Sequence, residues 1–287
     1  MDFAFSEEQD EFREMLRRFL EEKAGTSDVR RMAESEEGFD RALWKQMAEE
    51  LGLQGIAIPE SYGGQGFGFL ELGIVLEEMG RVLLPSPFFG SSVLATCALL
   101  NGAAEEQRAS LLPGLASGET LACLALAEEG AGWDLASVAL EAAPEGEGIR
   151  LRGTKTLVVD GAIADQLLVV GRLPGTEGED GLTLVRVDAE SPGVKRSALD
   201  PLDSTRRLAR IELDGAVGEA LGVPGEAAEP LRRTLHQGAI ALTAEMVGGA
   251  EACLDKSVEY AKVRVQFGRR IGAFQAIKHK AAEVLLE

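Results

Sequence analysis

Apolar residues recur at intervals of three and four along the first 116 positions, a spacing that predicts α-helices. Ser6 with Gln9 makes a capping-box sequence at the first helix start, and Gly52 stands where the second helix needs a left-handed closing residue. The stretch IAIPESYGGQGFG is rich in Gly and predicts a long turn after the second helix. The pattern predicts five helices, beginning near Ser6 and Asp40 and covering about 69–82, 87–101 and 104–116.

The pattern changes after Gly118 to short apolar runs such as LACLAL, QLLVV and LTLVRV, which predict strands. No helical pattern separates these runs over about 120–218, which argues against a parallel nucleotide-binding α/β sheet. From about Glu226 the helical period returns for more than thirty residues, ends near RVQFGRR, and resumes near Ala273. The sequence therefore predicts an α+β multidomain chain: a helical domain over 1–118, a β-domain over 119–225 and a second helical domain over 226–287.

The last predicted helix carries apolar residues along one face, and the sequence ends at Glu287 without a capping glycine. Two amphipathic helices bury only part of their apolar faces against each other. We therefore expect the C-terminal domain to be incomplete as given, and its helices to pack against further helices or another subunit. This predicts an oligomer.

The charge, the apolar runs and the cysteine and histidine content exclude several classes of protein. Lys and Arg number 29 against 48 Asp and Glu, and the net charge of −19 excludes a basic nucleic-acid binder. There is no run of eighteen apolar residues that would predict a membrane span, and the acidic start MDFAFSEEQDEF is unlike a targeting peptide, so a cytoplasmic location is expected. Cys97, Cys123 and Cys253 are isolated and only two histidines occur, so neither a disulfide framework nor a metal site is predicted.

Four motifs occur in order along the chain: PESYGGQG at 59–66, AEEGAGWD at 127–134, the strand GTKTLVV, and YAKVRVQFGRRIGAFQ from Tyr260. They resemble the PxxYGGxG, TEPGAGSD, GxKxWIT and YxxxRxxFGxxIxxFQ motifs of the acyl-CoA dehydrogenase family. The resemblance covers essentially the whole chain. It implies an N-terminal helical domain, a middle β-barrel and a C-terminal helical domain. The implied activity is FAD-dependent α,β-dehydrogenation of an acyl-CoA, with electrons passing to an electron-transfer flavoprotein. The segments LLPSPFFGSSVLA and DSTRRLARIELDG most resemble bacterial members that act on steroid side-chain or other bulky acyl-CoAs, some of them in unequal-subunit complexes.

The resemblance also implies cofactor residues. Arg264 would meet the FAD pyrophosphate across a subunit interface with its planar donor fork, Phe267 would pack beside the cofactor and Gly268 would let the backbone turn. A surface arginine at a helix end is the alternative for Arg264, and an exposed helical residue is the alternative for Gln275, which matches the family's FQ. The remaining cofactor candidates are Gly130, Ala131, Gly132, Leu157 and Val159.

Several of these positions depart from the family pattern. Ala127 replaces the opening Thr of TEPGAGSD, and Trp133, a candidate substrate-binding residue, replaces its Ser. Leu157 stands where a flavin-flanking Trp is expected and Val159 where a Thr hydroxyl would bond the flavin. Hydrogen-bonding groups and one aromatic plate are thereby removed. Either this chain's own flavin site is altered, or it still binds FAD through the backbone amides of the retained glycines.

The reaction requires a carboxylate that removes the α-proton of the thioester. The family places this Glu either near the start of the long third-domain helix, which aligns with Gly238, or in a region beyond Glu287. Glu245 lies seven residues after Gly238 on the same helix face and is the in-chain candidate base; a solvated or capping Glu is the alternative.

Three functional readings follow. The first is a catalytic acyl-CoA dehydrogenase with an acyl-CoA substrate; the second is a non-catalytic partner subunit that completes the FAD site of a second chain. A redox-inert scaffold protein is the third. A local basic patch for CoA phosphates is available from Arg206, Arg207 and Arg210, or from Arg269 and Arg270.

Overall fold

A computed structural model describes residues 4–286 of the chain. Up to residue 116 the described chain is helical. The helices are α1 (Glu7–Lys23), α2 (Thr26–Glu34), α3 (Arg41–Leu51), α4 (Phe69–Val82), a π-helix (Phe88–Ala95), α5 (Thr96–Gly102) and α6 (Glu105–Ala116). The residues between α3 and α4 form two 3₁₀ turns and a glycine-rich loop, in keeping with the predicted long turn.

The predicted caps of this part are confirmed. Ser6 and Gln9 form a reciprocal capping box at the start of α1, and the Asp40 carboxylate accepts hydrogen bonds from the first amides of α3. Gly52 closes α3 at a φ of 61°. Helix α2 was not predicted, because its nine residues carry no side-chain cap and mix charged with apolar positions over barely two turns.

One helix predicted as an α-helix is partly a π-helix in the structure. The expected helix over 87–101 consists of a π-helix followed by α5. All eight residues of the π-helix are buried, so this segment touches protein on every side. A fully surrounded helix shows no amphipathic period, and hydrogen-bond register is then decided by packing rather than by local sequence.

The middle of the chain forms a closed sheet. Its strands are β1 (Ala122–Ala125), β2 (Glu141–Glu145), β3 (Gly148–Val159), β4 (Gln166–Arg172), β5 (Leu182–Asp188), β6 (Val194–Ala198) and β7 (Leu208–Leu221). The order β4–β2–β3–β7–β5 returns to β4, which makes the expected barrel; β1 adds to β4 in parallel and β6 to β7. The polar strands β2 and β6 were not predicted, since each has an exposed face and little apolar alternation.

The uninterrupted apolar run of β4 has a physical reason. Leu167 and Val169 point into the barrel core, whereas Leu168 and Val170 belong to the core shared with the helices. Successive strand residues face opposite sides, and both sides of β4 are buried. The barrel therefore packs on the helical part through this wall.

The long helix predicted from Glu226 is confirmed as α7 (Ala228–Val263), 36 residues in length. A short hairpin of β8 (Val265–Gln266) and β9 (Arg269–Arg270) leads from it to α8 (Gln275–Leu286). No helix within residues 4–286 has the length and apolar character needed to cross a membrane.

Candidate functional site

Lys155 joins two of the motifs found in the sequence. Its ammonium group is fully buried and donates to the carbonyl oxygen of Leu126 at 2.9 Å and to Oε1 of Glu128 at 2.6 Å. The neighbouring amide of Thr156 donates to the carbonyl oxygen of Ala127 at 2.8 Å. The loop that follows β1 is therefore held against β3, and the motifs AEEGAGWD and GTKTLVV form one structural unit.

Glu128 is the centre of this unit. Besides Lys155, its carboxylate accepts the amides of Ala139 and Leu140 at 3.0 Å each. Burial lowers the pKa of Lys155 from its usual value to about 8, against the opposing attraction of Glu128. A buried ammonium with a carboxylate partner and a carbonyl partner fixes the loop, because breaking either contact leaves a buried charge unsatisfied.

The loop beyond Glu128 offers exposed backbone. Gly130 and Gly132 have φ angles of 79° and 59°, and a Cβ atom added at either would meet no atom within 4 Å. Ala131 donates its amide to the carbonyl oxygen of Glu128 at 3.1 Å, which keeps the turn compact. Trp133 follows with 45% of its surface exposed. The retained glycines thus border open space, with an uncovered indole beside them.

The two candidate side chains of β3 differ in exposure: Leu157 is exposed to solvent and Val159 is buried. The pairing of β3 with β7 shifts register between Lys155 and Val158, and Leu157 within this bulge has a φ of 51°. Left-handed backbone at a leucine is strained, and such strain is concentrated at functional sites. The bulge leaves the Leu157 side chain 46% exposed, whereas Val159 is buried at 8% exposure.

Gly238, the position that the sequence resemblance aligns with the family's base, is buried within α7. A Cβ atom there would lie 2.6 Å from Cδ2 of Leu94 in the π-helix. Leu94 therefore occupies the space that a side chain at position 238 would need.

Glu245 lies two turns further along α7. Its Oε1 accepts a short hydrogen bond from Nη2 of Arg206, and among residues 4–286 its buried Oε2 has no partner. The Arg206 guanidinium lies 5.0 Å from the ring centre of Phe89. A pocket of about 470 Å³ adjoins the pair, lined among others by Leu83, Leu208, Leu242 and Met246. Glu245 thus lies within α7 rather than at its end, is partly exposed, and forms an ion pair with the loop before β7.

The hairpin after α7 presents aromatic and basic side chains. Phe267 is 91% exposed with a φ of 53°, and Gly268 completes the turn at 76°. Phe274 lies edge-on to Phe267 and carries the Arg269 guanidinium 3.9 Å from its ring centre. The Arg264 side chain is exposed and makes no hydrogen bond or ion pair with residues 4–286. Gln275 begins α8 and is also exposed.

The candidate residues fall into two groups within one chain. Arg264 follows Glu245 by 19 positions, which is about 28 Å along a helix rising 1.5 Å per residue. Glu245 contacts the loop before β7, so the hairpin lies about half the length of α7 away from that contact. The Lys155–Glu128 contact brings the loop and strand candidates together, and no side-chain hydrogen bond or ion pair among residues 4–286 joins them to the hairpin candidates.

Comparison with known proteins agrees with this architecture. Models of the acyl-CoA dehydrogenase N-terminal, middle and C-terminal domains match residues 6–119, 123–215 and 229–287. The acyl-CoA dehydrogenase IpdE2 of Mycobacterium tuberculosis is 34% identical over 281 residues, which cover 97% of this chain and 71% of the relative. The chain belongs to the acyl-CoA dehydrogenase family.

Solved structures show the same likeness. The Tcur3481–Tcur3483 steroid ACAD is 36% identical with a TM-score of 0.85, covering 96% of this chain and 73% of that one. The ChsE4–ChsE5 complex from Mycobacterium tuberculosis is 31% identical with a TM-score of 0.83, covering 99% and 74%. A glutaryl-coenzyme A dehydrogenase in complex with glutaryl-CoA reaches a TM-score of 0.91 at 30% identity, covering 100% and 75%.

In this member of the family, the two alternative basic patches differ in how their arginines are paired. Arg206 is bound to Glu245, and Arg207 donates to the carbonyl oxygens of Ala33 and Ser35 at the end of α2. Arg210 faces Glu129 and Glu212. The three arginines are therefore occupied by contacts within the chain, whereas Arg269 and Arg270 lie exposed on the hairpin.

Asp160 is a buried carboxyl that the sequence did not predict as a site residue. It directly follows β3 with a φ of 57°, is 5% exposed, and among residues 4–286 its Oδ2 has no partner. The dipeptide Asp160-Gly161 signals a turn but gives no sign of burial. Only the packing of the π-helix against the end of β3 encloses the carboxyl.

Proposed function

We propose that this chain binds FAD and takes part in the α,β-dehydrogenation of an acyl-CoA thioester, with electrons passing to an electron-transfer flavoprotein. The observation that carries the proposal is the exposed Arg264 guanidinium, which has no partner among residues 4–286 and belongs to the same turn region as the exposed ring of Phe267. A long arginine side chain without a partner is suited to a diphosphate, which takes two donors from one planar fork.

The residues present fit a flavin dinucleotide in two parts. Backbone around Gly130, Ala131 and Gly132 borders open space, and Leu157 extends an apolar side chain from the adjoining bulge. When bound, FAD supplies the acceptor for the hydride that leaves the substrate. The chain's contribution is to hold the ring system against the barrel and to neutralise the diphosphate. Trp133 beside the loop is the proposed contact with substrate, and Gln275 a second polar contact from the hairpin side.

The separation of these parts supports an oligomer. The hairpin lies about 28 Å along α7 from Glu245, and we propose that it reaches the barrel of a second subunit. Apolar side chains on α7 and α8 remain uncovered, including Met246 at 65% and Leu285 at 73% exposure. The expected assembly joins acyl-CoA dehydrogenase subunits through these helices.

Cofactor retention tests the Arg264 role. The FAD-to-chain ratio after gel filtration, from absorbance near 450 nm, is measured for the parent, Arg264→Ala and Arg264→Lys. Loss of a charge-assisted pair costs about 2–3 kcal/mol, roughly 30- to 150-fold in Kd. Arg18→Ala is the matched control, since the Arg18 side chain is also exposed and has no partner within the described residues 4–286. Equal FAD retention in Arg264→Ala and the control would show that Arg264 is a surface residue at a helix end and does not bind the cofactor.

Mixed subunits test whether the hairpin acts across an interface. Arg264→Ala keeps an intact barrel, and Leu157→Asp keeps an intact hairpin while placing a charge at the proposed flavin face. A mixed pair then holds one intact site and one doubly altered site. Occupancy should reach about half the parental value in the isolated mixed pair, and about a quarter in a random equimolar mixture. No recovery on mixing would show that each chain completes its own site.

A non-catalytic partner subunit is the second candidate, favoured by a specific observation. Position 238 has no side chain, and Glu245 is already bound to Arg206. A positioned base contributes about 10²–10⁴ in rate, so an acyl-CoA dehydrogenase without one is slow. The similar ChsE4–ChsE5 structure is a complex of two different proteins, which supports a partner-subunit role. The similar Tcur3481–Tcur3483 structure is a steroid ACAD, which supports bulky acyl-CoAs as the substrate class.

Dye reduction separates the two candidates. The isolated chain with added FAD is assayed with straight-chain, branched and steroid side-chain CoA thioesters. Turnover that disappears in Glu245→Gln would make Glu245 the base and this chain catalytic. Turnover only after addition of a second acyl-CoA dehydrogenase chain would establish the partner subunit. A cytoplasmic location remains a prediction, tested by cell fractionation.

A further inference from the structure

A cluster of three charged side chains lies where the barrel meets the helices, and the proposed function makes no use of it as a unit. Asp160 closes β3, Arg206 belongs to the loop before β7, and Glu245 comes from α7. The π-helix packs against this cluster: the Phe89 ring lies under the Arg206 guanidinium, and Gly90 lies against the Asp160 carboxyl. Arg206 thus binds Glu245, while the Asp160 carboxyl lies against Gly90, the residue next to Phe89.

Neither carboxylate is fully satisfied. Arg206 binds Oε1 of Glu245, while Oε2 of Glu245 and Oδ2 of Asp160 are buried without a partner among residues 4–286. Asp160 is tightly enclosed, since a Cβ atom at Gly90 would lie 2.5 Å from Oδ2. A buried ionised carboxylate without a partner is costly, so either a proton or the guanidinium must compensate it.

We propose that Asp160 and Glu245 compete for Arg206, so that proton release from Asp160 loosens the loop over residues 201–208 from α7. With Asp160 protonated, Arg206 is committed to Glu245 and the loop is held on the helix. With Asp160 ionised, the buried charge attracts Arg206 and weakens the Glu245 contact. The cluster is a proton-controlled clasp between the barrel and α7. Two of its members, Arg206 and Glu245, line the pocket that Leu208 and Met246 also border.

The surroundings of Asp160 place the transition near neutral pH. Burial raises its pKa to about 7; Arg206 and the Gly90 amide oppose the rise, and Glu245 adds to it. Two further groups lie near this turn. One is the buried Cys123 thiol of β1, whose pKa is raised by burial and further by Asp160. The other is Arg196 of β6, whose guanidinium donates to the carbonyl oxygens of Gly161, Ala162 and Ala164. The Arg207 side chain is turned away toward Ala33 and Ser35, and the π-helix contributes no charged side chain to the cluster.

The experiment combines carboxyl NMR with hydrogen exchange on the full chain. Protein labelled with ¹³C at the Asp and Glu carboxyl carbons is titrated from about pH 5.5 to about pH 8.5, and the two signals are assigned with Asp160→Asn and Glu245→Gln. Asp160 should titrate near neutrality, and its midpoint should rise in Arg206→Met. A midpoint in the ordinary acidic range for Asp160 would overturn the proposal by itself, even if a variant fails to fold.

Amide exchange over 201–208 reports the clasp. After correction for intrinsic rates, protection of this loop in the parent should fall above neutral pH, by at most about tenfold per pH unit for one released proton. Asp160→Asn should abolish the fall, because its amide stays neutral. Asp203→Asn, which alters another carboxylate of the same loop, should retain it. Protection independent of pH in the parent, or an unchanged fall in Asp160→Asn, would refute the clasp.

Discussion

The backbone of α7 passes α4 so closely at Gly248 that a Cβ atom there would overlap the carbonyl oxygen of Glu77. A second glycine repeats the arrangement, because a Cβ atom at Gly80 of α4 would overlap the carbonyl oxygen of Glu245. Two glycines on opposite helices thus set the distance between the N-terminal helices and the helix that carries the candidate base.

We expect Gly248→Ala to destabilise the chain by about 1–3 kcal/mol, because the added methyl must push two backbones apart. Gly73→Ala is the matched control in α4, since a Cβ there would meet nothing within 4 Å. Replacing a helical glycine in open space should stabilise by about 0.5–1 kcal/mol. Urea unfolding measures both, and losses of equal size would contradict the close crossing.

Glu78→Gln should cost about 3 kcal/mol of unfolding free energy. The Glu78 side chain is 1% exposed and accepts two hydrogen bonds from Arg17, at 2.7 and 2.9 Å, and one from Arg13 at 3.3 Å. Removing its charge leaves two arginines facing a neutral amide in a buried site. Glu77→Gln is the control, because Glu77 is more exposed and, among residues 4–286, pairs only with Arg13. The loss in this variant should stay below about 1 kcal/mol. A similar cost for both variants would exclude a special role of Glu78.

Leu157→Trp should tighten FAD binding. The position is 46% exposed in the strand bulge, and a Trp would restore an aromatic plate worth about 0.5–1.5 kcal/mol beyond its area, roughly 2- to 10-fold in Kd. Leu202→Trp controls for added surface indole, because Leu202 is fully exposed elsewhere on the barrel. Fluorescence quenching of added FAD gives the affinity. Tighter binding in both variants, or in neither, would argue against a flavin face at Leu157.

Gly238→Glu alone should not create an active dehydrogenase, because Leu94 fills the space next to position 238. Gly238→Glu combined with Leu94→Ala should gain acyl-CoA-dependent dye reduction, up to about 10²-fold or more if the new carboxylate reaches the α-proton. Leu94→Ala alone is the control for pocket enlargement. Activity in the single Gly238→Glu variant would show that Leu94 yields readily, and none in the double variant would place the base elsewhere.

Lys155→Met should change how stability depends on pH. Because the folded-state pKa of Lys155 is lowered from 10.5 to about 8, the folded chain binds fewer protons than the unfolded chain between these values. Parental stability should therefore gain a rising component from about pH 8 to about pH 10.5, at most about 3 kcal/mol, which the variant lacks. Thermal unfolding of both proteins across this range isolates the difference, since all other groups titrate in both. Parallel curves would contradict a buried, destabilised ammonium at Lys155.

Much of the local structure is determined by the sequence alone. The capping pair Ser6 and Gln9, the closing Gly52 and the long period of α7 act through neighbouring residues, so their physical effect is readable without knowledge of the fold. The family and the order of its three parts also follow from the sequence, because the motif residues retain their spacing. Helix α2 and the edge strand β6 could not be predicted from the sequence, because they are stabilised by the segments they pack against rather than by their own residue pattern.

The tertiary structure decided which side chains meet. Gly238 appears in the sequence as an absent base, but only the fold shows Leu94 in its place. Arg206 and Arg207 read as a basic patch, yet long-range packing directs one to Glu245 and the other to the end of α2. Asp160 reads as a turn residue and becomes a buried carboxyl because the π-helix covers it. Burial and pairing across more than thirty positions depend on how separate segments approach each other in space, and local residue patterns do not encode that approach.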